Sequence, residues 1–258
     1  MADRTTAAFI GHGSPMNTLE HNGWTEAWAD LGESVGRPRA VLVVSAHWYV
    51  AATAVTAMDR PATIHDFSGF PPALSTFEYP APGSPEVAAE VADVLSPTPV
   101  HLDDRQWGLD HGAWSVLAHV FPRADVPVVQ LSIDGRRPLS WHLELATRLA
   151  PLRAAGVMVL GSGNVVHNLG RMDWSQPDGA FDWARRFDEH VRELLLERPE
   201  DIAEAEEHPD YAAAVPTPEH FLPVVYLAGL AVASSAPLTV LTGGYGYGSL
   251  SMTSYRLD

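Results

Sequence analysis

Short apolar runs alternate with amphipathic stretches along the 258 residues, and this alternation constrains the fold more than any other feature. Ala7–Ile10, Ala40–Val44, Ala52–Ala57, Pro127–Ser132, Val157–Leu160 and Leu238–Leu241 read as strands. Between them lie helical patterns near Gly23–Ser34, Pro85–Leu95, Ala113–Val120, Leu139–Ala154, Phe181–Glu197 and Pro218–Ala231. The clearest carries Trp183, Phe187, Val191, Leu194 and Leu195 on one stripe, with Arg185, Arg186, Asp188 and Glu189 opposite. Strands that alternate with helices predict an α/β domain with helices on both faces of its sheet. Met252–Leu257 reads as a last edge strand, and the glycines of 243–248 as turn residues.

One segment breaks the rhythm. Residues 60–83 are rich in Pro and Gly, carry Phe67, Phe70, Phe77 and Tyr79, and show no periodicity. A loop that long inside a compact domain is usually functional, so an ordered active-site lid is expected here.

Composition narrows the chemistry. There is no Cys and no Lys, and all 16 basic residues are Arg. Thiolate nucleophiles, cysteine metal sites, Schiff bases and phosphate-loop lysines are therefore excluded. The net charge of −16 argues against nucleic acid or an anionic membrane as partner, since both need a basic surface. Met1–Thr6 lacks the basic-then-apolar order of a signal peptide. The longest nearly apolar run, Phe221–Ala233, is too short to cross a bilayer. The cytoplasm is the expected compartment, and a homo-oligomer is compatible with the sequence.

What remains is histidine, with 12 copies. His12 follows the first strand in Gly11-His12-Gly13-Ser14-Pro15, and His47 follows the second in Ser45-Ala46-His47-Trp48. His167 follows Val157–Leu160 through Gly161-Ser162-Gly163-Asn164, and His111 sits before a helix in Asp110-His111-Gly112. Sites in open α/β sheets form at the carboxyl ends of strands, so this set predicts a metal or acid–base centre. His220 joins it: Thr217 reads as an N-cap and Pro218 as the first helical position, with His220 in the first turn. There the helix dipole favours the neutral imidazole that a metal needs. Glu219 beside it is either a ligand or an acceptor for the ring. His190 and His208 read as solvated, and His21, His101, His119 and His142 show no special context. No dinucleotide fingerprint and no Gly-x-Ser-x-Gly elbow occurs.

These segments, taken in order, resemble the DODA-type (4,5-DOPA dioxygenase-like) branch of the class III extradiol ring-cleavage dioxygenases. The resemblance also covers His65-Asp66-Phe67-Ser68-Gly69-Phe70-Pro71, Tyr79-Pro80-Ala81-Pro82-Gly83, Pro218-Glu219-His220-Phe221-Leu222-Pro223 and the Gly-Tyr-Gly tail around Tyr245 and Tyr247. It implies a single catalytic domain with a central mixed, largely parallel sheet flanked by helices. It implies that His12, His47 and His220 match the metal ligands and that His167 matches the acid–base residue, itself a ligand in zinc-loaded forms. His111 matches a histidine beside the substrate and oxygen pocket. The implied cofactor is Fe(II), with Zn(II) as an occupant of isolated protein; the implied partners are a small catechol and O2, and the product a semialdehyde acid. Ser14, Trp48, Phe70 and Tyr247 are the candidate substrate contacts, although Trp48, Tyr49, Phe70 and Trp114 each also fit a core position. Two other readings stand beside this one: a zinc-dependent hydrolase on the same histidines, and a non-catalytic binding protein on the same fold. The presence of all the key histidines argues against the second.

Overall fold

The computed structural model describes residues 4–258; residues 1–3, where the stretch read for a leader begins, lie outside the described residues. In chain order the elements are β1 (Ala7–Gly11), α1 (Gly23–Val35), β2 (Ala40–Val50), β3 (Ala54–Thr56), α2 (Pro72–Ser75), α3 (Pro85–Val94), β4 (His101–Asp103) and α4 (His111–Val120). Then come β5 (Val128–Asp134), α5 (Leu139–Thr147), α6 (Ala150–Ala154), β6 (Val157–Gly163), α7 (Asp182–Glu197), α8 (Tyr211–Ala214) and α9 (Leu222–Ser234). The chain closes with β7 (Leu238–Thr242), a short hairpin of β8 (Tyr245–Gly246) and β9 (Leu250–Ser251), and β10 (Ser254–Leu257).

Among the described residues the main sheet has eight strands in the order β4-β3-β5-β2-β6-β1-β10-β7. Its centre, β5-β2-β6-β1, is parallel throughout, and antiparallel pairs join it to β3 on one side and β10 on the other. The expected single α/β domain with a mixed sheet between helices is the architecture found. The central strands are apolar on both faces because both are covered. Ala7, Phe9, Leu42 and Val44 face a core shared with α3, α5, α7 and α9, while Ala8, Ile10, Val41 and Val43 face one shared with α1 and α4.

Local chemistry sets the element ends. Asn22 and Thr25 form a reciprocal capping box that starts α1, and Gly36 ends it at φ +70°. Asp110 caps α4, its Oδ1 accepting from the Ala113 N–H at 3.1 Å. The tail glycines do turn the chain: Tyr247 and Gly248, at φ +53° and +80°, reverse it between β8 and β9.

The structure corrects several sequence expectations. β10 is interior, paired to both β1 and β7, and β7 is the edge. The helix read over Leu139–Ala154 is two, because Pro151 at the start of α6 cannot donate into a continuous helix. β2 runs on to Val50, with a register shift between Val44 and Tyr49, so His47 lies inside a bulged strand rather than beyond its end. Residues 218–220 form a separate 3-10 turn before α9, and the Thr217 hydroxyl donates to Glu219 instead of capping it.

No helix among the described residues is long and apolar enough to cross a membrane.

Candidate metal centre

Three histidines converge from three places in the fold. His12 stands one residue past β1, His47 on the bulged end of β2, and His220 at the end of the 3-10 turn before α9. Each offers a ring nitrogen, and the three nitrogens lie within 4.8 Å of one another. His111, the first residue of α4, brings its ring centroid to 3.8 Å from that of His47. His167, beyond β6, stacks on His220 at 3.5 Å and an interplanar angle of 5°. All five sequence candidates therefore meet above the carboxyl ends of β1, β2 and β6.

Close approach by small residues makes this possible. A Cβ on Gly112 would lie 2.5 Å from Ser45 Oγ and 2.7 Å from His47 Cδ2, and one on Gly163 would lie 2.2 Å from the His220 carbonyl. Only glycine lets the chain pass so near the His47 ring and the His220 backbone.

Hydrogen bonds fix the tautomers. Ser162 Oγ donates to the Gly112 carbonyl at 2.6 Å, so it can only accept at 2.9 Å from His12, whose Nδ1 must carry the proton. Glu219 Oε1 accepts the Thr217 hydroxyl at 2.6 Å and faces His220 Nδ1 at 3.3 Å. Asp66 places Oδ2 3.2 Å from His47 Nδ1 and Oδ1 2.9 Å from His111 Nδ1. Each ring thus turns an Nδ1 proton outward, and in its neutral form an Nε2 lone pair inward. His47 Nε2 is buried and has no hydrogen-bond partner. A bare, buried nitrogen facing two others is what a cation bound through imidazoles requires, and the residues fit a metal ion.

A second group of three potential ligands shares this corner: His47, Asp66 and His111. Its atoms meet at hydrogen-bond distances instead. His167 belongs to neither group, and Glu219 stands behind His220, on the ring's outer nitrogen.

The electrostatics favour neutral rings. Burial first, then the neighbouring imidazoles, hold His12 and His220 well below the usual histidine range. Burial pushes His167 down to about 4, against a smaller opposing pull from Glu219. His47 differs: burial lowers it, but Asp66 and Asp110 outweigh that and raise it. Burial would raise Asp66 in turn, yet its contacts with His111 and His47 hold it well below the carboxylate range.

Around the centre, Phe67 lies edge-on to His111 at 5.4 Å and Phe70 edge-on to Phe67 at 5.4 Å. Ser14 Oγ accepts from the Met16 N–H at the start of the 3-10 turn Pro15–Thr18. Tyr247 packs against the exposed Trp174 at 4.7 Å. Trp48 goes elsewhere: buried, it stacks on Trp107 at 5.5 Å and 3°. Trp114 is buried too, its Nε1 donating to the Ile64 carbonyl at 2.9 Å. Sequence reading assigned nothing to Asp66, Ser162 or Asp110. Asp110 alone carried a local signal, as a helix N-cap. It is buried and accepts from Ser45 at 2.7 Å and from Gln130, buttressing the wall behind His47.

A cluster of buried imidazoles above the carboxyl ends of a parallel sheet, with no nucleotide motif, defines a site that could hold a metal ion in an α/β protein. Residues 7–257 match the family described as the catalytic LigB subunit of aromatic ring-opening dioxygenase, and the chain belongs to this family of extradiol dioxygenases. It is similar to a 4,5-DOPA dioxygenase extradiol of Escherichia coli (strain K12), 47% identical over 98% of this chain and 95% of that protein. A 4,5-DOPA dioxygenase extradiol of Beta vulgaris is 36% identical, covering 96% of this chain and 94% of its own length. The crystal structure of an uncharacterized Escherichia coli K12 protein superposes with a TM-score of 0.86 at 42% identity, covering 99% of this chain and 100% of that one.

Proposed function

We propose that this enzyme opens the ring of a small catechol, DOPA or a close analogue, with O2 in the cytoplasm and yields a semialdehyde acid. The observation that carries the reading is the convergence of His12, His47 and His220 with one buried Nε2 left bare. Those three would hold Fe(II), with Zn(II) as its substitute in isolated protein. Bound there, Fe(II) would supply a redox-active centre with open positions for both substrates.

The chain's own groups do the rest. Burial keeps the His167 imidazole neutral at pH 7, so it can take a proton from a catechol hydroxyl and return it later. Its place on the His220 ring, outside the set of mutually close nitrogens, favours this role over ligation. His111, held as the Nδ1–H tautomer by Asp66, turns an acceptor nitrogen toward the same space. Phe67 and Phe70 give a flat ring an apolar wall and keep water from it. Ser14 and Tyr247 are proposed contacts from the rim; Trp48 would reach a substrate only by leaving its stack on Trp107. Both atoms of O2 enter the product, so no reductant or nicotinamide is needed.

The test is anaerobic reconstitution with Fe(II), then a catechol panel in air. A yellow ring-opened product that needs both Fe(II) and O2 is expected. Failure of every catechol to open with iron bound would sink the reading, and ester or amide cleavage by the Zn(II) form without O2 would put a hydrolase in its place.

A further inference from the structure

Asp66 belongs neither to β2 nor to α4, yet it touches a histidine from each. It lies in the aperiodic 60–83 segment, one oxygen 3.2 Å from His47 Nδ1 and the other 2.9 Å from His111 Nδ1. The same Oδ1 accepts the His111 main-chain N–H at 3.0 Å. An ionised carboxylate only accepts, so each ring facing it must present a proton on Nδ1, which in the neutral imidazole leaves the lone pair on Nε2. The segment is fastened on either side of this residue. The Ile64 carbonyl accepts from Trp114 Nε1 at 2.9 Å, and Phe67 packs edge-on against His111 at 5.4 Å.

We propose that Asp66 is a positioning residue. It sets His47 and His111 together as Nδ1–H tautomers, and so ties the metal affinity of the site and the acceptor state of His111 to the seating of the 60–83 segment. One carboxylate thereby links a proposed ligand to the histidine beside the substrate space. If the segment lifts, both rings lose the acceptor that selects their tautomer. Water then enters between Asp66 and the rings, and His47 can turn its protonated nitrogen inward.

The proposal rests on the metal centre described above, but its primary readout needs no metal. In the metal-free protein, long-range ¹H–¹⁵N spectra of the imidazoles report which nitrogen carries the proton. The intact protein is expected to show Nδ1–H at both His47 and His111. In Asp66→Asn the amide offers one acceptor and one donor, so it can serve only one ring, and the other is expected to switch to Nε2–H. Zn(II) affinity, measured by competition with a chromophoric chelator, is expected to fall about 10- to 100-fold. Asp66→Glu keeps an acceptor-only group and is expected to restore both tautomers and most of the affinity.

Unchanged tautomers in Asp66→Asn overturn the proposal, whatever happens to affinity, and so does wild-type Zn(II) affinity in that variant. Should Asp66→Asn fail to fold, loss of both Nδ1–H tautomers in a folded Asp66→Glu would overturn it instead. If the intact protein bound no metal at all, the proposed metal centre would fail while the tautomer result still decided the role of Asp66.

Discussion

Two buried histidine environments occur in this fold, and they use the imidazole in opposite ways. At the carboxyl ends of the parallel strands, His12, His47, His111 and His220 each direct Nδ1 to an oxygen and turn Nε2 inward. In the seam between α5 and α9, His142 has both nitrogens engaged: Nε2–H donates to the Asp134 carbonyl at 3.3 Å, and Nδ1 accepts from the Tyr226 hydroxyl at 3.0 Å. Burial lowers the proton affinity of His12, His220 and His142 alike. A perturbed imidazole is therefore no sign of a site by itself. The sign is a buried nitrogen with nothing to bind, and His47 Nε2 provides it.

The contrast breaks most sharply under mutation. His12→Ala should abolish stoichiometric metal binding and reduce ring opening to background. His142→Gln, which can keep both hydrogen bonds, should hold its metal and stay within a few-fold of wild-type turnover. Metal analysis of the purified variants, followed by assay with added Fe(II), checks both. Equal metal loss from the two would erase the distinction between the environments.

A smaller effect separates roles within the site. His167→Ala should keep metal affinity within a few-fold and lower turnover by roughly 10²- to 10⁴-fold, the range for loss of an acid–base group. Metal loss as complete as that of His12→Ala would make His167 a ligand. Smaller again, Gly112→Ala drives a methyl into Ser45 Oγ and His47 Cδ2, so that these side chains must shift. A stability loss of about 1–3 kcal/mol is expected for such overpacking. With it, Zn(II) binding should weaken about tenfold as the His47 ring is displaced. Denaturant midpoints and chelator competition measure the two; unaltered Zn(II) affinity would mean that the approach of Gly112 does not set the ligand.

Much of this was legible in the chain because it is local. The apolar runs before His12 and His167 are strands buried on both faces, so their ends and the histidines beyond them could be read directly. From sequence β2 reads as ending at Val44 because Ser45 and His47 interrupt its apolar run, and its continuation depends on pairing Tyr49 and Val50 with β5. β10 reads as an edge strand from sequence because its pairing with β1 spans almost the whole chain. Asp66 and Ser162 stayed silent for the same reason. Their partners are 45 and 150 residues away, and no spacing rule reaches that far. Trp48 shows the converse: adjacency to His47 suggested a substrate contact, whereas its ring stacks on Trp107.

The mildest test turns on pH and isolates the α5–α9 seam. His142 is fully buried, and burial pushes it down to about 4, against an ordinary value of 6.5. Between these two values the unfolded chain binds a proton at this position and the folded chain does not, so stability rises with pH across that window. The contribution is complete above 6.5 and lost as the pH falls toward 4. Over the full window it amounts to roughly 3 kcal/mol, and from pH 6.5 to 5 to about 2 kcal/mol. At the metal centre His12, His167 and His220 add a slope of the same sign and the raised His47 one of the opposite sign, but all are common to wild type and His142→Gln when both are metal-free. Urea midpoints of the two proteins at pH 7 and pH 5 should therefore converge or cross, with wild type losing about 2 kcal/mol more. Parallel losses would mean that His142 accepts its proton within the fold, and that the seam is not held by a neutral imidazole.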